Sequence, residues 1–292
     1  MNRALSPQAL ARVQIITAMT AFGTIGLFVR AIGLPSSIIA LVRGVVGAAF
    51  LLLVLVLRRA RPDRGTIRKN LPLLCLSGAA IGFNWILLFE AYRYTTVATA
   101  TLCYYFAPIF VTLFSPLLLG ERLARRKLFC VVAALAGMVL VSGVPQTGLP
   151  SLAEARGILF GLGAAVLYAS VVLMNKKIDG VGALDKTTIQ LAAAAAVLLP
   201  YTLATEDFTA LSPSLLSVVL LLILGVVHTG VCYTLYFGSL SHLPAQTAAL
   251  FSYIDPVVAI LLSALLLGEP LGLLGAVGAV LVLGSTLVSE LT

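Results

Sequence analysis

Charge is what this sequence has least of. Of its 292 residues, 10% are Asp, Glu, Lys or Arg, against 60% hydrophobic, and the mean hydropathy is +1.09. A soluble chain of this length must cover its surface with polar groups, so a soluble globular fold is excluded. Histidine occurs twice, at His228 and His242. Neither His-Glu-x-x-His nor Gly-x-Ser-x-Gly is present, so metalloprotease and serine-hydrolase chemistry lack their residues. No ATP-binding segment is present either. The four cysteines, Cys75, Cys103, Cys130 and Cys232, form no Cys-x-x-Cys pair and all fall in apolar runs. They read as buried thiols, not as a disulfide or metal framework, and neither metal nor cofactor is expected. Residues 1–12 are short and weakly basic, and the run after them lacks an Ala-x-Ala exit, so no cleavable signal peptide is expected. The net charge is +8. Its basic residues lie in the breaks between apolar runs, which suits membrane topology and lipid headgroups and not nucleic acid.

Long apolar runs are what is there. They are continuous rather than alternating, which excludes a β-barrel and indicates an all-α integral membrane protein. Ten spans are predicted, at 13–31, 35–58, 70–92, 95–118, 126–144, 156–175, 186–204, 213–238, 244–267 and 270–289, each near the ~20 residues that cross the hydrocarbon core. No connection is long enough for a separate soluble domain. The longest basic one runs from Arg58 to Lys69.

One stretch occurs twice. Gly82-Phe-Asn-Trp85 leads through Tyr105-Phe-Ala-Pro108 to Leu119-Gly120-Glu121. Gly230-Val-Cys-Tyr233 leads through Tyr253-Ile-Asp255-Pro256 to Leu267-Gly268-Glu269, without a gap, at an offset of 148 positions. The matched leucines carry little weight, whereas a proline, the tyrosine three before it and the Gly-Glu twelve after it are informative. The chain is therefore expected to form two related halves, residues 1–146 and 147–292.

Charge and repeat agree with each other. Lys and Arg gather at the N-terminus and in the loops after spans 2, 4 and 6. The opposite side holds only Arg30, Arg93 and Arg156. The positive-inside rule then places both termini in the cytoplasm. Five spans per half make the second half inverted. Gly120-Glu121 is followed by Arg122, Arg125, Arg126 and Lys127, whereas Pro270, Leu271 and Gly272 follow Gly268-Glu269. Inverted five-helix repeats are a transporter architecture.

These residues resemble the drug/metabolite transporter superfamily, EamA type. The resemblance rests on Tyr105…Pro108…Leu119-Gly120-Glu121-Arg122-Leu123 and on Tyr253…Pro256…Leu267-Gly268-Glu269-Pro270-Leu271. It extends to Asn84-Trp85…Phe89…Ala91 and to Phe22-Gly23, where many members have Trp-Gly. It implies a multi-pass protein of the bacterial inner membrane, a monomer or homodimer among lipids, without a cofactor and without enzymatic activity. It further implies alternating access at a central cavity between the repeats, and export of small metabolites, foremost amino acids including aromatic and neutral ones. Drug-like organic cations or another metabolite are the alternative. Phosphorylated substrates would want several inward basic residues, and only Arg43 lies clearly within a span.

Pro108 and Pro256 are candidate hinges, because a proline inside a helix removes a backbone hydrogen bond. Trp85, Tyr105, Tyr168, Tyr233 and Tyr253 fall inside their spans, away from the interfacial belts, and are candidates to line the central cavity together with Asn84 and Ser252. Ordinary helix packing would equally place aromatics there. Arg43, Glu90 and Asp255 are intramembrane charges, which are costly and usually face the interior with a partner. Asp255 can pair with Arg43, contact a substrate amino group or accept a coupling proton. His228 and Gln246 are weaker candidates. Small residues at Gly44/Ala48, Gly157/Gly161 and Ala133/Gly137 allow close helix approach.

Overall fold

The computed structural model describes residues 6–59, 62–94, 103–122, 125–141, 155–266 and 272–290. Their regular structure is helical throughout: α1 (Pro7–Phe22), α2 (Ile25–Ile32), α3 (Ser36–Leu57), α4 (Arg64–Tyr94), α5 (Ala107–Leu119), α6 (Arg125–Val141), α7 (Ala155–Lys177), α8 (Ala183–Thr205), α9 (Leu215–Ile223), a π-helical stretch (Leu224–Val231), α10 (Cys232–Leu240), α11 (Ala245–Phe251), α12 (Ile254–Leu266) and α13 (Leu273–Glu290). A short 3-10 turn, Phe208–Ala210, precedes α9. Among the described residues, six helical segments are long and apolar enough to cross a membrane: Pro7–Val29, Ser36–Leu57, Arg64–Ala91, Ala155–Lys177, Ala183–Thr205 and Leu215–Leu240. The chain is a multi-pass α-helical membrane protein.

Several boundaries differ from expectation for identifiable reasons. The first helix starts at Pro7, not near 13, because Ser6 accepts a 3.2 Å hydrogen bond from the Ala9 amide and Pro7 stands where its missing N–H costs nothing. It then breaks at Gly23-Thr24, where the Thr24 hydroxyl donates to the Ala21 carbonyl at 2.7 Å. The basic stretch expected to be a connection is helical from Arg64 onward. Asp63 starts that helix by accepting from the Thr66 hydroxyl and the Gly65 and Thr66 amides, and the Thr66 bonds hold its carboxyl below the usual range. Cys103, Cys130 and Cys232 are buried as expected, but Cys75 is exposed, because it lies on the outward face of α4.

The two proline spans hold no continuous helix at the proline. In one, a turn at Tyr105-Phe106 precedes α5, and Pro108 lies in its first helical turn. In the other, a turn at Ser252-Tyr253 separates α11 from α12, and Pro256 lies in the first turn of α12. Proline is tolerated there because the first amides of a helix have no intrahelical acceptor. The expected kink is a break, and each break presents a tyrosine.

The chain packs as two compact units, each drawing on both halves of the sequence. The first comprises Met1–Ile86 and Met174–Leu243. In it α3 packs on α8 and on the π stretch, and α1 on α10. Glycines set these distances. A Cβ on Gly78 would meet the Gln190 carbonyl oxygen at 2.4 Å, and one on Gly225 would meet Val46 at 2.4 Å. A buried polar core lies where α4 and α8 touch. There the Gln190 side-chain amide donates to the Ser77 hydroxyl and, at 3.2 Å, to Asn175 Oδ1. Lys186, counted from the sequence as a loop cation, is 1% exposed, and its ammonium donates to the Asn175 and Ile178 carbonyls at 3.4 and 3.3 Å. Lys176 does the same for the end of α10, donating to the Leu240 and Leu243 carbonyls at 3.1 and 2.8 Å. Both lysines therefore satisfy carbonyls that a helix C-terminus leaves without partners.

The second unit comprises Leu87–Leu173 and Pro244–Thr292. Here α6 packs along α13 and α5 against α11. Tyr105, Cys130, Val131, Ala134, Leu250, Tyr253 and Val257 form its buried cluster. The first Leu-Gly-Glu turn has a physical role here. Gly120 adopts a left-handed φ of 70° that ends α5. Glu121 then accepts the Ala245 amide, the first of α11, at 2.9 Å. Lys127 reaches the Thr247 hydroxyl at 2.8 Å, and Gln246 donates to the Ser115 hydroxyl at 3.0 Å. Gly268 and Glu269, the second copy of the motif, lie outside the described residues. We expect Glu121→Ala to cost about 0.5–2 kcal/mol, as loss of a helix cap does, and to speed amide exchange at Ala245 selectively. Unchanged exchange there would remove the cap assignment.

Candidate functional site

The sequence-predicted residues fall into two clusters, one inside each unit. The first is built on α3, α4, the π stretch and α10. The stripe Ser77, Ile81, Trp85 recurs every fourth position on the buried face of α4, with Asn84 beside it. Trp85 and Asn84 are both 4% exposed, as is Arg43 on α3. The Arg43 guanidinium lies over the Trp85 ring, 4.4 Å from its centroid. Its Nε donates to the Thr229 hydroxyl at 3.1 Å. The Trp85 indole N–H donates to the Tyr233 hydroxyl at 3.2 Å, with the two rings edge to face at 6.0 Å. Phe22, the counterpart of the tryptophan common in the family resembled, packs at a tilt against Tyr233, ring centroids 5.2 Å apart.

The π stretch explains how one helix delivers so many polar groups inward. One extra residue per turn puts His228, Thr229 and Gly230 all on the buried side. Thr229 closes the wide turn by donating to the Leu224 carbonyl, five residues back, at 2.8 Å. His228 Nε2 meets the Thr24 hydroxyl at 2.8 Å, and its ring packs edge-on against Phe28 at 4.8 Å. Thr24 and Thr229 were absent from the sequence-based candidates. Two interior glycines, Gly225 and Gly230, bracketing a His-Thr pair were the available signal, since both press against α3.

The second cluster lies in the other unit, at the two helix breaks. The Tyr253 hydroxyl donates to the Tyr105 carbonyl at 3.2 Å, and the two rings lie 6.2 Å apart. The Tyr105 hydroxyl in turn donates to the Asp255 carboxylate. The Tyr168 hydroxyl is 3.2 Å from Ser252 Oγ. Tyr104, which sequence reasoning passed over, meets Tyr105 edge to face and Tyr168 at a tilt, both with ring centroids 5.6 Å apart. Tyr105, Ser252 and Tyr253 are buried, whereas Asp255, Tyr104 and Tyr168 each keep part of their surface open. Glu90 is partly buried near the end of α4. Arg43 and Asp255 belong to different units, and each has its own partners there. In both clusters, residues exactly one repeat apart touch: Trp85 with Tyr233, and Tyr105 with Tyr253.

The model of the EamA-like transporter family matches this chain twice, at residues 10–143 and 155–290. An uncharacterized transporter of Bacillus subtilis, YxxF, is 28% identical over 94% of this chain and 88% of its own. An uncharacterized transporter of Vibrio cholerae is 30% identical over 87% of this chain and 83% of its own. Protein RarD of Salmonella typhi is 30% identical over 69% of this chain and 66% of its own. A crystal structure at 20% identity superposes with a TM-score of 0.85 over 96% of both chains, so the fold is shared.

Proposed function

From the premise that this chain belongs to the EamA-like transporter family, we propose that it exports small metabolites, foremost amino acids including aromatic and neutral ones. The transport is secondary or facilitative and proceeds by alternating access. The halves 1–146 and 147–292 act as inverted repeats of five spans each, with both termini cytoplasmic in a bacterial inner membrane. No cofactor and no catalytic step are involved, and the working unit is a monomer or homodimer.

The observation that carries this reading is the pairing of repeat-equivalent aromatics. Residues related by a twofold operation touch only when they lie close to its axis. Trp85–Tyr233 and Tyr105–Tyr253 both connect positions 148 apart. Each contact supports, within its own unit, a local pseudo-twofold relation between the two halves, beside aromatic and polar groups. Groups near such an axis are those a midplane substrate meets in both conformations. Aromatic faces with a few polar atoms suit a neutral or aromatic side chain.

The test is uptake into liposomes holding the purified protein, with labelled phenylalanine and leucine, with and without a pH gradient. Saturable flux that other neutral amino acids compete for is expected. A gradient response beyond the effect on substrate ionisation would indicate proton coupling. Absence of amino-acid flux from folded, inserted protein overturns the substrate assignment and leaves organic cations as the alternative.

A further inference from the structure

The tyrosine cluster of the second unit contains a carboxylate whose electrostatics are incomplete. Within that unit, among the described residues, Asp255 has a hydroxyl partner, Tyr105, but no cationic one. A carboxylate at membrane depth normally has a countercharge, because hydrocarbon gives it no hydration. The surroundings indicate what that countercharge is. Tyr105 is held on two sides, by its hydroxyl on Asp255 and by its carbonyl on Tyr253. Tyr168 is tied to Ser252, and the Tyr104 ring meets Tyr105 edge to face and Tyr168 at a tilt. Tyr105, Ser252 and Tyr253 are closed off, whereas Asp255, Tyr104 and Tyr168 each keep part of their surface open. A carboxylate bonded into a cluster of aromatic rings attracts a cation with apolar surface attached.

We propose that Asp255, with Tyr104 and Tyr168, is a recognition site for the protonated primary amino group of the transported molecule. The proposal rests on the transporter reading above and deepens it. Recognition is by the ammonium end, so a free carboxylate on the substrate is not required. Primary amines that carry an aromatic or aliphatic tail therefore belong to the same ligand class as the amino acids. Masking the amine by acylation removes its positive charge and two of its three N–H donors, and should abolish recognition. The assignment also explains an asymmetry in the repeat. Position 107, equivalent to Asp255, is alanine, so the two halves offer one carboxylate for one ammonium.

Two measurements test this on the purified full-length protein. The first is competition against labelled phenylalanine in liposomes by phenethylamine, N-acetylphenylalanine and phenylpyruvate. Phenethylamine should compete within about tenfold of phenylalanine, and the two compounds without an amine should not compete. The second is the thermal shift induced by phenethylamine on wild type, Asp255→Asn, Asp255→Glu and Tyr104→Leu. Asp255→Asn should lose the shift and Asp255→Glu should retain part of it. Tyr104→Leu, which leaves the carboxylate in place, should weaken binding on the order of tenfold. Competition by N-acetylphenylalanine equal to that of phenylalanine overturns the site and leaves amino-acid transport standing. A phenethylamine shift that depends on Asp255, without amino-acid flux, sustains the site and overturns the amino-acid reading. An undiminished shift in Asp255→Asn means that the carboxylate does not hold the ammonium and overturns the proposal. If Asp255→Asn does not fold, Tyr104→Leu decides: unchanged phenethylamine affinity overturns the site.

Discussion

Gly78→Ala is expected to destabilise the folded protein by about 2 kcal/mol, although alanine is the better helix former. The added methyl would sit 2.4 Å from the Gln190 carbonyl oxygen, 2.7 Å from Ala193 Cβ and 2.9 Å from Gln190 Cα. Two of those neighbours are backbone, which a rotamer change cannot move. Overpacking in a well-fitted core costs about 1–3 kcal/mol, and a clash between two rigid helices belongs at the upper end. Replacing glycine by alanine within a helix returns up to about 1 kcal/mol. The clash therefore wins. Separating α4 from α8 would also stretch the Gln190 bond to Ser77, which spans the same crossing. Gly44→Ala is the control. Its Cβ would meet Ala195 and Trp85 at 3.7 Å, ordinary contact, so the variant should match wild type or gain up to about 1 kcal/mol. Thermal unfolding of both variants in detergent separates them. A Gly78→Ala protein that melts with wild type would mean that α4 and α8 do not cross this closely.

That pair shows what the sequence could and could not reveal. Glycine inside an apolar helix reads as close approach, and Gly44 was picked out for that reason. Spacing alone does not say which glycine is pressed hardest, because that depends on the partner backbone. The apolar spans were legible because hydrocarbon thickness sets their length, and the six long segments lie where hydropathy places them. The Gly-Glu turn was legible as a signature but not as a device. Its role depends on Glu121 meeting an amide 124 positions away. Lys186 was misjudged for a related reason. Next to a polar loop, a lysine counts as solvated, yet this one turns back to the carbonyls at the end of α7.

The candidate site divides in the same way. Trp85, Tyr105, Tyr168, Tyr233, Tyr253 and Asp255 stand out because aromatic and acidic groups are costly to leave unexplained at membrane depth. Their grouping into two clusters follows from packing that no local pattern encodes. Thr229 escaped notice because a threonine in a helix commonly bonds its own backbone. Only the π turn makes it both a donor to Leu224 and an acceptor for Arg43. Tyr104 escaped because its neighbour Tyr105 carries the repeat match.

Arg43→Lys, a change that keeps the charge, is expected to lower flux by about ten- to a hundredfold. Lysine lacks the planar face that lies 4.4 Å over Trp85 and the Nε that donates to Thr229. A desolvated cation–π contact is worth about 2 kcal/mol, and a hydrogen bond from a charged donor about 1.5–3 kcal/mol in water-soluble proteins. Hydrogen bonds between membrane helices average nearer 0.6 kcal/mol, so a combined loss of about 2–3 kcal/mol is the better figure. At about 1.4 kcal/mol per factor of ten, that is one to two orders of magnitude. Where the loss appears depends on whether the contacts persist in both transport states. A contact present in both lowers stability and leaves the equilibrium between them alone, whereas a contact present in one shifts that equilibrium. Arg43 bonds to a π turn that a one-residue change of register would convert to α-helix, so under the proposed alternating access its contacts are expected in one arrangement of that helix. The loss should therefore appear mainly in flux, with a smaller drop in melting temperature. Thr229→Ala should move flux the same way by about three- to tenfold, since it removes the hydroxyl and spares the stacking. The double variant should lose less than the product of the two, because both act on one hydrogen bond. Wild-type flux from Arg43→Lys with a lowered melting temperature would show that this network holds the helices together in every state and takes no part in their rearrangement.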